Sequence, residues 1–405
     1  MSRATAPSRR ATHRDPHLGY VAAAVVFAIG MAGTTLPTPL YGLYREELGF
    51  SELMVTVIFA SYAVGVIATL LLVGNHSDVV GRRPVLWTAL ALAAASALCF
   101  LFEGGLPLLF AGRLLSGFSA GLLSGAGTVT VLELARPERK SRAGFAATAA
   151  NMGGLGCGPL LSGLLAEYAP RPLELPFLVH LALVVVGCVI VLFLPETVAE
   201  PRLRARPRPQ GLYVPAEVRG IFTPSALAAF AGFSLLGLFT AVAPSFVSHT
   251  LGITNLAVSG LVVFSVFLSS TVGQWWTSRM AVRVALPLGC LVLVVGLLLV
   301  GASLWVQALP LLVAGAVCGG IGQGLAFRAG LIAVGEAAPP AHRAATVSSF
   351  FVVAYAGISL PVVGVGALTE WVGLDDAGLI FTGCVTLLAT ATGLHLARRP
   401  AGGDA

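Results

Sequence analysis

The stretch LPLLFAGRLLSGFSAGLLSGAG, from Leu106 to Gly127, recurs 203 residues later as LPLLVAGAVCGGIGQGLAFRAG, from Leu309 to Gly330. The two stretches align without a gap and are identical at eleven of twenty-two positions. The same offset pairs Glu133 with Glu336 beyond the end of each stretch. Both stretches are long and apolar enough to cross a bilayer as a helix. The repeat therefore predicts two halves that share one membrane-spanning architecture.

The composition indicates that the rest of the chain is also in the membrane. Hydrophobic residues make up 57% of the 405 residues and charged residues only 10%, whereas soluble proteins carry about 25% charged residues. The apolar residues fall into runs of roughly 20 or more, the length of a transmembrane helix. The net charge of +6 arises at the ends of these runs, so it does not indicate a nucleic-acid partner. We predict an all-α integral membrane protein.

The apolar runs predict twelve transmembrane helices, six in each half. Their bounds are 19–41, 52–73, 84–102, 107–133, 143–166, 175–194, 225–247, 257–277, 284–304, 309–334, 345–368 and 376–397. The predicted domains are a tail at 1–18, an N-terminal six-helix bundle at 19–194, a linker at 195–224, a C-terminal six-helix bundle at 225–397 and a tail at 398–405. The linker is rich in proline and arginine, which is typical of a segment lying near anionic headgroups.

Lysine and arginine concentrate in alternate connecting segments. Twenty of the 24 basic residues lie in the segments predicted on one side of the membrane, which include both tails and the linker. Short, positively charged segments stay in the cytoplasm. We therefore expect a multi-pass protein of the plasma membrane with both termini cytoplasmic.

The connection between the second and third predicted helices is the most specific local motif. It reads GNHSDVVGRRPVL and contains Gly74, Asp78, Gly81, Arg82 and Arg83. The glycines allow a tight turn, and the arginines can pair with carboxylates at the same face. The loop resembles the GxxxDxxGRRxxL signature of the major facilitator superfamily of transporters. The resemblance implies a network that keeps the cytoplasmic side closed in the outward-facing state.

Charged residues at the predicted cytoplasmic helix ends are similar to the charge relay of the same family. They are Glu133 with Lys140, Glu336 with Arg343, and Glu196 within the PET sequence that closes the sixth helix. A spacing of seven puts each pair across a helix end, where a salt bridge can form in one transport state and break in another. The relay occurs in uptake and export members alike, so it does not indicate direction.

The fourth helix carries a charged residue in an apolar run. Leu109, Arg113, Ser116 and Gly117 resemble the family's second signature, with Ser116 where glutamine is usual. The resemblance implies that Arg113 takes part in proton coupling. An arginine in lipid is costly and is a candidate functional residue for that reason. The alternative is that Arg113 extends its side chain to the headgroups.

The fifth helix contains the sequence GLGCGPLLSG, with Gly154, Gly158, Pro159 and Gly163. It resembles the GxxxGPxxGG signature of the antiporter branch, with Ser162 in place of one glycine. Small residues let helices approach closely, and the Gly-Pro pair bends the helix. The alternative interpretation is helix packing without a transport role.

Polar and aromatic residues inside the predicted helices are candidates for the lining of a substrate cavity. They are Thr34, Thr35, Tyr41, Asn151, Phe239, Gln274, Gln323, Arg328 and Tyr355. Such mixed lining is typical of small-molecule sites. All aspartates and glutamates fall in loops or at helix ends, whereas two arginines lie within helices. We therefore expect an electropositive cavity that favours neutral or anionic substrates over cationic drugs.

The resemblance covers the whole chain and implies the major facilitator fold with a substrate site between the two halves. The fifth-helix motif favours proton-coupled efflux of a small organic molecule, a drug or a metabolite, by a monomer in the lipid bilayer. The alternatives are uptake or facilitated transport of a small neutral or anionic metabolite, and a non-transporting receptor or scaffold. We predict no enzyme, because GFSAG at 117–121 lies in mid-helix rather than in a strand-to-helix turn. Neither a cofactor motif nor metal-ligand spacing occurs, so none is expected.

Overall fold

The computed structural model describes residues 16–74, 76–102, 104–201, 209 and 211–398. The predicted tails therefore lie largely outside the described residues, at 1–15 and 399–405, as do positions 202–208 and 210 of the predicted linker. The described part is a bundle of helices, which confirms the predicted all-α membrane architecture.

Seventeen α-helices make up the described part of the chain. They are α1 Pro16–Thr35, α2 Tyr41–Leu48, α3 Glu52–Val73, α4 Ser77–Val80, α5 Arg82–Leu101, α6 Leu106–Leu122, α7 Thr128–Glu133, α8 Lys140–Thr148, α9 Gly154–Tyr168, α10 Leu175–Phe193, α11 Arg219–Ala241, α12 Ala243–Ser245, α13 Leu256–Thr277, α14 Val282–Val306, α15 Leu309–Ala337, α16 Arg343–Val372 and α17 Leu374–Ala397. Three π-helical turns, Leu123–Gly127, Ala149–Gly153 and Phe246–Thr250, join α6 to α7, join α8 to α9 and follow α12.

Eleven helical segments among the described residues are long and apolar enough to cross a membrane. The remaining predicted helix, the fifth, is the run from α8 through the π turn to α9, 140–168. Its glycines and Asn151 make it less apolar than the others. This composition follows from its position, because a helix that packs between others and lines a cavity does not need to be apolar on every face.

The two halves meet along two seams. In one seam α9 of the first half packs on α13 of the second, and in the other α3 packs on α16. The glycines Gly163 and Gly260 permit the first contact, since a Cβ at either would lie against a backbone carbonyl oxygen of the facing helix. Between the seams, α1, α6, α11 and α15 surround a central space. The remaining long helices, α5, α10, α14 and α17, lie at the periphery.

The bundle has two ends, which we name by their charge. The basic face carries the loop before α5, the ends of α7 and α10, and the start of α16. The opposite face carries α2 and the connections before α10 and α13.

The seventh long helix begins earlier than predicted. A short 3-10 turn, Ala216–Val218, leads directly into α11 at Arg219, so the predicted linker end at 224 is wrong. Pro224 lies inside the helix, on its second turn. A proline there removes one backbone hydrogen bond, and the apolar residues that follow bury enough surface to keep the helix continuous.

Candidate functional site

A cavity of about 230 Å³ lies between the two halves. It is lined from the first half by α1, α3 and the segments α6 to α9, and from the second by α11, α13, α15 and α16. The repeat predicts this symmetry, because equivalent helices of each half face the same axis. The cavity is thus built where a duplicated bundle brings its two copies together.

Seven of the residues singled out in the sequence line this cavity. They are Thr34, Thr35, Arg113, Asn151, Gln274, Arg328 and Tyr355. Most lie on the helix faces that the two halves turn toward each other. Polar groups in these apolar helices therefore meet in one space.

Three predicted cavity residues, Tyr41, Phe239 and Gln323, do not line the cavity. Tyr41 is buried in a hydrophobic cluster at the start of α2. At 3.6 residues per turn, Phe239 lies about 100° around α11 from the lining residue Thr240. Gln323 accepts a hydrogen bond from Ser270 on α13 at 2.6 Å, so it joins two helices instead. The polarity or aromaticity of a residue alone therefore did not predict whether it faces the cavity.

Aromatic side chains that the sequence prediction missed form one wall of the cavity. The ring of Phe233 lies 5.1 Å from that of Phe327 and 5.7 Å from that of Tyr355. Tyr355 in turn meets Tyr62 of the first half at 6.2 Å. The wall therefore crosses the interface between the halves. A pairing across 293 positions of sequence leaves no local signal.

Two of the π turns also contribute to the cavity. Ser124 lies in the turn between α6 and α7, and Asn151 and Met152 lie in the turn between α8 and α9. An extra residue in a helix turn redirects side chains, and π turns are frequent at functional sites. Small residues surround both turns, but no rule applied to the sequence predicted them.

Arg113 is the most deeply buried charged residue of the site. Its side chain is 1% exposed, and its Nη1 and Nη2 donate to the carbonyl oxygens of Thr34 and Phe59 at 2.5 and 3.4 Å. Thr34 lies in the last turn of α1, where carbonyl groups lack helical partners. The guanidinium also lies over the ring of Tyr62, 4.8 Å from its centroid. The alternative that Arg113 reaches the headgroups is therefore wrong.

Arg82 organises the basic face of the first half. Its guanidinium donates to Ser77 Oγ at 2.6 Å, to Asp78 Oδ1 at 2.5 Å and to both carboxylate oxygens of Glu133 at 3.0 and 3.2 Å. Thr197 Oγ1 donates to the same carboxylate at 2.5 Å. Two-pronged contact with a carboxylate is a geometry that arginine provides and lysine does not. These contacts tie the signature loop to α7 and to the chain after α10.

Glu196 caps the N-terminus of α5. Its carboxylate accepts hydrogen bonds from the backbone N–H groups of Arg82 and Arg83 at 2.8 and 3.0 Å. Burial raises the pKa of this carboxyl, but these two groups and the N–H groups of Thr197 and Val198 outweigh it and bring the pKa below its usual value. Gly81 permits the approach, because its φ is +108° and a Cβ there would lie 2.8 Å from Glu196 Oε2.

Three residues of the predicted charge relay make no ion pair with the described part of the chain. Lys140, Glu336 and Arg343 are exposed, and Glu133 pairs with Arg82 instead of Lys140. The predicted pairings at a spacing of seven are therefore absent from this conformation. The reason is that Arg82 offers Glu133 a buried, two-pronged partner, which a solvated lysine does not match.

At the opposite face, polar contacts that the sequence did not predict join the two halves. Ser245 donates to Glu52 at 2.5 Å, Glu52 pairs with Arg45, and Arg45 Nη2 lies 2.6 Å from His249 Nε2. The backbone N–H of Leu256 also donates to Glu167 at 2.9 Å. We call the group Arg45, Glu52, Ser245 and His249 the outer latch.

The cavity extends toward the basic face. Its lining continues to Leu132, Gly144 and Leu331, which lie within about two helical turns of the basic-face ends of their helices. There the halves meet near the seam, where the rings of Phe145 and Trp275 are 6.4 Å apart. At the opposite face, the outer latch joins the two halves.

The fifth-helix glycines serve both contacts of α9. A Cβ at Gly154 or Gly158 would meet backbone carbonyl oxygens of Ala28 or Ala32 in α1. A Cβ at Gly163 would meet the carbonyl oxygen of Leu256 at 2.5 Å, across the seam in the other half. Pro159 lies inside the helix between them. The motif therefore packs α9 against α1 and against the other half, and does not line the cavity.

Residues 22–360 match the family model described as Major Facilitator Superfamily. Among curated proteins, the chain is 30% identical over 167 residues to the tetracycline resistance protein, class B, of Escherichia coli, covering 41% of this chain and 40% of that protein. It is 29% identical over 161 residues to the putative multidrug resistance protein MdtD of Escherichia coli, covering 40% and 34%. The matches thus span about two fifths or less of these relatives.

Solved structures resemble the whole bundle. The human organic anion transporter MFSD10 superposes with a TM-score of 0.65 at 18% identity, covering 95% of this chain and all of that one. A peptide transporter of the POT type superposes with a TM-score of 0.76 at 15% identity, covering 97% and 96%. At these identities the likeness establishes the shared fold.

Proposed function

Because the chain belongs to the Major Facilitator Superfamily of membrane transporters, we propose that it is a proton-coupled exporter of a small organic molecule, a drug or a metabolite. It works by alternating access in the plasma membrane, most simply as a monomer. The observation that carries the proposal is the cavity between the halves, which extends toward the basic face while the outer latch joins the halves at the other face.

The charge distribution supports the orientation of this cavity. Positively charged short segments stay in the cytoplasm, so we assign the basic face to the cytoplasm and both termini with it. The described conformation is then the state that receives cargo from the cell interior. Opening of the outer latch and closure at the basic face would release that cargo outside.

The direction of transport rests on two observations. The relatives with detectable sequence identity are a tetracycline resistance protein and a putative multidrug resistance protein. The fifth-helix glycines, which resemble the antiporter signature, pack on both sides of α9 at the moving interface. We assign to Arg113 the coupling role implied by its signature, since it contacts two helices of its own half and also faces the cavity.

The basic-face network would keep the first half together as the two halves move during this cycle. Arg82, Asp78, Glu133 and Glu196 hold the ends of α5, α7 and α10 together as one body. Their contacts stay within the first half, so the half can move as a unit. Lys140, Glu336 and Arg343 are free to pair across the basic face when it closes.

Transport in inverted membrane vesicles tests the proposal. Vesicles that contain the protein are given an acidic interior, and a panel of compounds that includes tetracycline is added while a pH-sensitive dye reports the interior. We expect some compounds to release protons, and the release to vanish with Arg113→Ala and in protein-free vesicles. A silent panel with folded protein would reject proton-coupled export and favour uptake.

A further inference from the structure

Arg113 is a buried cation without an anionic partner. The described residues give it two carbonyl oxygens and the faces of Phe59 and Tyr62, while its Nε has no hydrogen-bond partner. Ionised groups inside a membrane protein pair with an opposite charge or with backbone carbonyl oxygens. Carbonyls and aromatic rings compensate only part of the charge. A negative group inside the cavity would supply the missing partner.

The described lining of the cavity provides no such group. Of its described lining residues, the charged ones are Arg113 and Arg328, and none is aspartate or glutamate. Two carboxylates at the ends of lining helices, Glu52 and Glu133, are engaged by the outer latch and by Arg82. Glu336, at the basic-face end of α15, is exposed and does not line the cavity. The counter-charge of this electropositive cavity is therefore not a side chain of the lining.

Arg328 lies between the basic face and the level of Arg113 in the cavity. By the repeat offset of 203 residues, Arg113 corresponds to Ala316 in α15, and Arg328 lies twelve residues nearer the basic face, about 18 Å along the helix. Its side chain is half-buried and makes no hydrogen bond or ion pair with the described residues. A negative group that enters from the basic face therefore meets Arg328 first and Arg113 at the end.

The space beside this path is aromatic. Tyr62, which packs on the Arg113 guanidinium, begins the wall that continues through Tyr355 and Phe233 to Phe327. Faces and edges of aromatic rings favour planar apolar groups by stacked and edge contacts. The site thus combines a deep positive charge with a wall suited to an apolar body.

We propose that the cargo is an amphiphilic organic anion, a carboxylate or sulfonate on an aromatic body, whose negative group pairs with Arg113. The inference rests on the proposed function and specifies its substrate. It gives Arg113 a direct contact with cargo, and it gives Arg328 the role of first capture. Cationic compounds of the same shape are excluded by the two positive charges.

Binding of three matched compounds to the purified full-length protein tests this inference. They are 2-naphthalenesulfonate, the neutral 2-naphthalenesulfonamide and the cationic 2-naphthyltrimethylammonium, each titrated against the folded protein without any gradient. We expect the sulfonate to bind at least tenfold more tightly than the other two. Arg113→Gln should remove most of that preference and leave the binding of the sulfonamide unchanged.

Two further variants separate charge recognition from folding. Arg328→Gln removes a side chain without partners among the described residues, so the variant should fold normally and bind the sulfonate a few fold more weakly. Arg283→Gln, which removes an exposed charge outside the cavity, should leave binding unchanged. Equal affinity for the three compounds, no binding of any of them to folded protein, or a sulfonate preference that survives in both cavity variants would overturn the anion site.

The binding test and the vesicle test can fail independently of each other. Charge-blind binding together with active vesicles rejects the anion site and leaves export intact. Selective sulfonate binding together with silent vesicles rejects proton-coupled export and leaves the anion site intact.

Discussion

Replacing Gly158 with alanine should destabilise the folded protein by about 3 kcal/mol, the upper end of the cost of overpacking a close-packed interior. The added Cβ would overlap the carbonyl oxygen of Ala32 and lie 2.6 Å from Oγ1 of Thr35. The first neighbour is backbone, so α1 and α9 must separate. The second is the hydroxyl that donates to the carbonyl oxygen of Leu155 at 2.6 Å. We expect a lower thermal unfolding midpoint of the purified protein.

Gly153 provides a matched control in the same helical run. A Cβ at this position meets no heavy atom within 4 Å, and alanine is favoured over glycine in a helix by up to about 1 kcal/mol. Gly153→Ala should therefore leave the unfolding midpoint unchanged or raise it slightly. If both variants unfold at the same temperature, the close approach of α1 and α9 is not what the fifth-helix motif provides.

Replacing Arg82 with alanine should have the second largest effect. The substitution removes four hydrogen bonds at once and leaves Glu133 and Asp78 without their cation. Breaking a buried pair costs about 3 to 5 kcal/mol, but the Asp78 and Glu133 side chains are 58% and 36% exposed. We therefore expect a loss of about 2 kcal/mol of stability and a strong loss of transport, measured by thermal unfolding and in vesicles.

Two comparisons make the Arg82 result specific. Arg83→Ala removes the same charge one residue away, where the side chain donates to the carbonyl oxygen of Leu192, and it should cost well under half as much. A double-mutant cycle with Glu133→Gln should give a coupling of about 1 kcal/mol or more, as expected for residues in contact. Additive effects of the two substitutions would show that Arg82 and Glu133 do not interact.

Much of the fold was predictable because lipid imposes simple rules on sequence. The length of apolar runs and the repeat of 106–127 at 309–330 predicted two halves of six helices, and the structure has this architecture. Helix ends were less predictable. Pro224 suggested a break, yet α11 runs through it. One missing hydrogen bond costs less free energy than burial of the apolar helix contributes.

The site was predictable where function requires a rare residue type. It was unpredictable where it depends on the direction in which a side chain points from its helix. Arg113 stood out because arginine is costly in lipid, and Gly81 because the signature loop needs a tight turn, which the structure makes with a positive φ at Gly81. The outer latch did not stand out, since Glu52 and Ser245 are ordinary polar residues near the ends of two predicted helices, 193 positions apart. Phe239 looked like a cavity residue, but a shift of one residue around α11 moves a side chain by about 100°.

The most direct test of alternating access is to cross-link the outer latch and measure transport. Glu52→Cys and Ser245→Cys, made in a background without the six native cysteines, are joined by a short, cleavable bifunctional thiol reagent. If the halves rock to open the opposite face, substrate transport in vesicles should stop on cross-linking and return on cleavage, while each single cysteine variant stays active. Unchanged transport through the cross-linked protein would contradict alternating access between the two halves.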